Sequence, residues 1–139
     1  MPSASDVVKQ HIEAFNAQNA SAEPWAEDAE LIAPRGTHSG REAVVAFNTA
    51  FQQAFPDGKL EIKKILRDGG PNVSVEGEFT GTHTGPLASP DGEVPPTGNA
   101  VTFRWAAAYV VRGEELASEH LYFDQVELLG QLGLLPVHA

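Results

Sequence analysis

GTHTGPL (81–87), PPTGNAVTFRW (95–105) and EHLYFDQVELLGQLGL (119–134) follow one another in the second half of the chain, and their reading decides the fold. The middle phrase runs into 100–112, a stretch rich in Val, Phe, Trp and Tyr that reads as a long strand. Arg112, Gly113, Glu114 and Glu115 turn it back into a second strand at 116–125, and 126–132 then takes helical spacing and stops at Gly133. Upstream, 60–67 and 73–83 alternate as paired strands around the turn signal 68–72 (DGGPN). The 14-residue loop 85–98, rich in Pro and Gly, is long for a hairpin and reads as a lid or a surface loop.

Before residue 60 the period is helical. Val7, Val8, Ile12 and Phe15 recur after Ser5, a candidate N-cap, and predict an amphipathic helix over 5–18. Residues 23–27 suggest a further short helical turn, and 29–33 a brief strand stopped by Pro34 and Gly36. Ala43, Val44, Phe47, Phe51 and Phe55 then predict a second long helix from Gly40, closed by Pro56, Asp57 and Gly58. Helices first and a strand meander afterwards predict one α+β domain over 1–139, with three N-terminal helices packed on a strongly curved antiparallel sheet and a short C-terminal helix.

Composition narrows the function classes. The chain of 139 residues suits a single core. No apolar run approaches the roughly 18 residues of a membrane span, and a soluble, cytoplasmic protein is expected. Cysteine is absent, and the five histidines (11, 38, 83, 120 and 138) show no metal-ligand spacing, so no metal site is expected. The net charge of −10 divides into −3 over 1–70 and −7 over 71–139, a surface unsuited to nucleic acid or anionic membrane.

The landmarks resemble the SnoaL-like polyketide cyclase family, within the nuclear-transport-factor-2-like superfamily of cone-shaped α+β domains. Residues 12–16 (IEAFN) are similar to the family's first-helix signature, with Phe15 where many cyclases have tyrosine. Residues 55–57 (FPD), 81–85 (GTHTG), 96–98 (PTG) and 131–133 (QLG) are similar to its most distinctive phrases, in the same order. The resemblance implies a pocket between sheet and helices, a small apolar or aromatic carbonyl ligand, and intramolecular aldol closure of a polyketide ring without metal or organic cofactor. A base takes a proton beside a carbonyl, the enolate attacks a second carbonyl, and an acid protonates the new alkoxide. It also implies a homodimer through the convex sheet face.

Counted back from 131–133, the cyclases' catalytic aspartate falls on Leu121; counted back from Gly113, their histidine falls on Ala106. Neither side chain can move a proton. Strand alternation then sets Glu119, Leu121 and Phe123 inside with His120 and Tyr122 outside, and sets Arg104, Ala106 and Ala108 inside with Phe103, Trp105 and Tyr109 outside. On that register Arg104 and Glu119 form an ion pair that is either pocket chemistry or structure. Asp124 is a helix N-cap or, were the strand bulged, part of an inward group with His120 and Tyr122. His11 shares a helix face with Phe15 and is a pocket residue or a partly exposed one; Phe47 and Phe51 line the pocket from the second helix. His38 sits in a loop at the expected mouth with Trp25 over it, His83 holds a strand end, and His138 lies in a tail expected to be disordered. Two functions follow: a cofactor-free cyclase or isomerase-type enzyme whose usual Asp and His are replaced by Leu121 and Ala106, or a noncatalytic binding module of the same fold.

Overall fold

The computed structural model describes residues 2–89 and 92–135, so that Pro90, Asp91 and His138 lie outside the described residues. Helix α1 (Ala4–Asn16) begins one residue before and ends two residues before the expected 5–18. Ser3, and not Ser5, is the N-cap: its hydroxyl accepts from Asp6 N–H while the Asp6 carboxylate accepts from Ser3 N–H, a capping box. A single 3₁₀ turn (Ala20–Ala22) follows, and the helical turn expected at 23–27 is absent. Pro24 is the reason, because it holds the preceding residue extended, and Glu23 has φ −65° and ψ 127°. The chain therefore enters strand β1 (Trp25–Ala33) directly, then β2 (Gly36–Ser39) and helix α2 (Arg41–Ala54).

The strands β3 (Lys59–Gly69), β4 (Asn72–Thr82), β7 (Ala100–Arg112) and β8 (Glu115–Phe123) lie within two residues of their expected places, and α3 (Gln125–Gln131) is the last element among the described residues. The long loop carries a small separate hairpin of β5 (Leu87–Ser89) and β6 (Gly92–Val94). One six-stranded sheet runs β2-β1-β8-β7-β4-β3. Every neighbouring pair is antiparallel except β1 with β8, which run parallel.

One irregularity in the β7–β8 hairpin sets which side chains face inward. Arg112 pairs with Glu115 and Val111 with Leu116, but Val110 pairs with Ser118, leaving Ala117 as an extra residue on β8. Beyond it Ala107, not Ala106, lies opposite Leu121, and Tyr109 lies opposite Glu119. Directly opposed residues share a face. The inward set on β7 is accordingly Phe103, Trp105, Ala107 and Tyr109, all buried, while Arg104 and Ala108 are exposed. The expected facing of β7 is thus reversed: Arg104 and Glu119 are on opposite faces and form no pair, and Phe103, Trp105 and Tyr109, expected outside, are core.

That core joins Val7, Val8, Ile12 and Phe15 of α1 and Val44 of α2 to the inner face of the sheet. Each fully buried aromatic or aliphatic side chain contributes on the order of 1.5–3 kcal/mol by leaving water. Gly77 on β4 makes one aromatic possible: a Cβ there would stand 2.4 Å from Cζ2 of Trp105 and 2.5 Å from the Glu61 carbonyl oxygen, so glycine lets the indole lie against the strand.

Candidate functional site

Between α1, α2 and the inner face of the sheet lies a cavity of about 50 Å³. Its walls are almost wholly aromatic: Phe15 from α1, Phe47 and Phe51 from α2, Phe79 from β4, Phe103, Trp105 and Tyr109 from β7, and Phe123 beside Leu121 from β8. Phe51 meets Phe123 edge to face at 6.0 Å and Phe47 at 5.5 Å, and the ring of His38 rests on Phe47 at 4.8 Å. Phe47, Phe51, Leu121 and Phe123 are each only half-buried and form the outer end of the cavity. A cavity that takes a benzene ring measures about 150 Å³, so a ring-sized occupant requires these side chains to move.

Among the described residues, three polar side chains, His11, Asn48 and Glu119, complete the lining. They belong to a buried polar group. His11 Nδ1 lies 2.7 and 2.8 Å from the two carboxylate oxygens of Glu23, and Glu23 Oε2 also accepts from Trp25 Nε1 at 3.0 Å and from Asn48 Nδ2 at 3.5 Å. Arg41 fastens the start of β1 beneath it, donating to the carbonyls of Glu23 and Trp25. With Nδ1–H committed to Glu23, His11 turns Nε2 toward Glu119, whose Oε1 is 4.0 Å away. Tyr109, opposite Glu119 in the ladder, places its hydroxyl beside that carboxylate without meeting hydrogen-bond geometry.

The electrostatics follow from burial. Burial raises the Glu119 carboxyl above its ordinary value, against the opposing pull of His11 and Tyr109. Burial pulls the His11 imidazolium down, but the hydrogen bond and charge of Glu23 and the charge of Glu119 outweigh it, and His11 titrates above its ordinary value. Burial first, and then the Glu119 charge, keep the Tyr109 hydroxyl protonated well above the usual phenol range. Both groups therefore hold their protons to higher pH than they would in water, the carboxyl through burial and the imidazole through its two acidic neighbours.

Among the described residues, three buried side-chain polar atoms have no hydrogen-bond partner: Trp105 Nε1, the Tyr109 hydroxyl and His83 Nε2. Leaving such an atom unpaired costs about 1–3 kcal/mol. His83 lies apart from the cavity; its Nδ1 accepts from Thr97 N–H, and its backbone joins the strand end to Asn99 and Gly98, as expected of GTHTG.

Other sequence candidates fall elsewhere. Asp124 is the N-cap of α3, its Oδ1 accepting from Val126 and Glu127 N–H, and it does not reach the cavity. His120 and Tyr122 face away with Arg104, because the bulge at Ala117 lies before them and leaves the alternation of 119–123 unbroken. Trp25 is wholly buried against His11 at 5.1 Å and does not cover His38, which lies on β2 rather than in a loop. His11, Phe15, Phe47, Phe51, Glu119, Leu121 and Phe123 do share the cavity. Glu23, Asn48 and Tyr109 were not among the candidates; the signal for Glu23 was the following Pro24, which forbids the helical turn and sends its side chain inward.

A curled sheet closed by helices over an apolar cavity is a cone-shaped α+β fold, and solved structures share it. A polyketide cyclase-like protein from Jannaschia sp. CCS1 superposes with a TM-score of 0.82 at 19% identity, covering 96% of this chain and 93% of that one. AclR, a candidate hydroxylase from Streptomyces galilaeus, gives 0.80 at 22% identity over 98% and 88%. IdmH, a candidate polyketide cyclase from Streptomyces antibioticus, gives 0.78 at 27% identity over 94% and 98%. Among curated proteins none matches the sequence. The model of the SnoaL-like polyketide cyclase family matches residues 5–132, and the chain belongs to that family. No helix among the described residues is long and apolar enough to cross a membrane.

Proposed function

We propose that the protein is a SnoaL-like enzyme that moves protons on a carbonyl compound, by enolisation or intramolecular aldol closure, using Glu119 and His11 in place of the acid/base pair expected on the strands. The observation that carries this reading is the 4.0 Å approach of Glu119 to a histidine already oriented by Glu23, inside an aromatic cavity. Glu119 as carboxylate takes the proton α to a carbonyl, and the C–H electron pair becomes the enolate double bond as the carbonyl π pair moves to oxygen. The enolate carbon forms the new bond to a second carbonyl carbon, and His11 Nε2–H protonates the resulting alkoxide. Leu121 and Ala107, opposed on the inner face, then serve only as walls.

Deuterium exchange at the α-carbon of a panel of cyclic ketones and 1,3-diketones, followed by NMR, tests the proposal. Wild type should accelerate exchange over buffer, and Glu119→Gln should remove roughly 10²–10⁴ of that acceleration while keeping the fold. Exchange equal in wild type and Glu119→Gln would sink it. Absence of exchange with ligand recovered unchanged would favour the noncatalytic binding module, a reading supported by the apolar pair Leu121 and Ala107 and by the small resting volume of the cavity.

The homodimer remains a proposal on a changed surface. On the outer face Ile32, His120 and Ala108 are successive neighbours across three strands, with Tyr122 beside Ala106; Ile32, Val110 and Tyr122 are exposed at 36%, 39% and 62%. Sedimentation at micromolar concentration should give a dimer that Tyr122→Asp weakens; a monomer in wild type overturns it.

A further inference from the structure

The mechanism above uses Glu119 as base and His11 as acid and leaves two buried donors on cavity residues unused. Trp105 Nε1 and the Tyr109 hydroxyl are both buried, both without a partner, and both on residues that line the cavity. They occupy inward positions on one strand with Ala107 between them, the small side chain leaving space between two large rings. Neither is loosely placed. Trp105 lies against Gly77, where a Cβ would come 2.5 Å from its Cε2, the ring atom bonded to Nε1, and Tyr109 is held edge-on to His11 at 6.1 Å. Being unpaired is not by itself a mark of a site, since His83 Nε2 is unpaired too; what separates these two is that they share one cavity.

We propose that Trp105 and Tyr109 are the ligand-positioning donors of the cavity and select a ligand that is neutral, ring-sized and carries oxygen acceptors, such as a phenol or an enolisable ketone. The inference rests on the proposed carbonyl chemistry and names its substrate class. An indole N–H can only donate, and the Tyr109 hydroxyl keeps its proton and meets no hydrogen-bond geometry with the Glu119 carboxylate beside it, so an oxygen acceptor satisfies both. A carboxylate ligand would supply acceptors but would meet Glu119 and Glu23, with only His11 to offset them. A ketone or phenol oxygen satisfies the donors without that repulsion, and a carbonyl held there is polarised as charge develops on its oxygen.

Phenol and toluene, which differ by hydroxyl against methyl, separate the donors from the aromatic walls. Binding to the full chain is measured by titration calorimetry, for wild type, Tyr109→Phe and Trp105→Phe, each checked for a cooperative thermal melt. Wild type should prefer phenol by about tenfold or more, and each variant should lose about tenfold for phenol while holding toluene within about twofold. Tyr109→Phe carries the test should Trp105→Phe fail to fold. Equal affinity for phenol and toluene in wild type, unchanged phenol binding in the folded variants, or no phenol binding at all would each overturn the inference. The two proposals fail separately: donor-dependent phenol binding without α-proton exchange keeps this one and removes the catalysis, whereas exchange indifferent to both variants does the reverse.

Discussion

Glu23 holds the buried polar group together, because its two oxygens serve His11, Trp25 and Asn48 at once. Glu23→Gln keeps a side chain of the same shape but gives up the charge and the acceptor pair that support the imidazolium. The His11 titration, followed by NMR of its ring protons, should fall below its wild-type value, and denaturant unfolding should show a loss of about 1–3 kcal/mol. A His11 titration unmoved by the change would mean that Glu23 does not orient it. At this scale the sequence was half legible. His11 and Glu119 could be picked out by spacing and strand parity, but Glu23 could not, since a glutamate after a 3₁₀ turn looks like any solvated acid until Pro24 is read as the start of an extended segment.

Element by element, the long helices, the four long strands and the last helix were legible to within about two residues, while the start of β1, β2 and the β5–β6 hairpin were not, and the reason for the legible part lies in what the family phrases do. Asp57 of FPD accepts from both the backbone N–H and the hydroxyl of Thr82, tying the end of α2 to the end of β4. Gly85 of GTHTG donates its N–H to the carbonyl of Ala54, and a Cβ there would stand 1.8 Å from the Gln53 carbonyl oxygen. Gln131 of QLG brackets Thr102, accepting from its N–H and donating to its carbonyl. These phrases are clamps between elements and announce the fold without touching the cavity. What they do not encode is the extra residue at Ala117, and that one bulge was enough to turn Arg104 outward and Trp105 and Tyr109 inward. Two substitutions probe the elements directly. Gly77→Ala should cost at least about 1–3 kcal/mol, because the indole and a carbonyl oxygen already fill the space, and its unfolding midpoint in denaturant measures this. Asp124→Ala should cost about 1 kcal/mol through the lost cap of α3 and leave phenol affinity unchanged, as a residue outside the cavity must.

For the whole molecule, the buried acid and base tie stability to pH with a definite sign. His11 and Glu119 both titrate higher in the folded chain than their ordinary values of 6.5 and 4.5. Each therefore favours folding most fully below those values, and that contribution is lost as pH rises through the raised folded-state values. Glu23 faces the same pair, and Tyr109 stays protonated well above the usual phenol range. Thermal melts should show the midpoint falling as the medium is taken from mildly acidic to alkaline, and Glu119→Gln should flatten the fall. A midpoint that rises over that interval would contradict the assignment of both groups.

The parallel ladder of β1 with β8 sets an order of assembly. Leu31 lies beside Glu119, 88 positions later in the sequence, so the strand that follows Glu23 has no partner on that edge until the last strand has been made. During synthesis α1, β1 and α2 can emerge with His11 and Glu23 in hand, while the carboxylate they face is still in the ribosome. Closure of so distant a pair is entropically slow, and refolding from denaturant is expected in milliseconds to seconds rather than microseconds. Pulsed hydrogen exchange should find the β1 and β8 amides gaining protection together and late, with ligand affinity returning in that same phase.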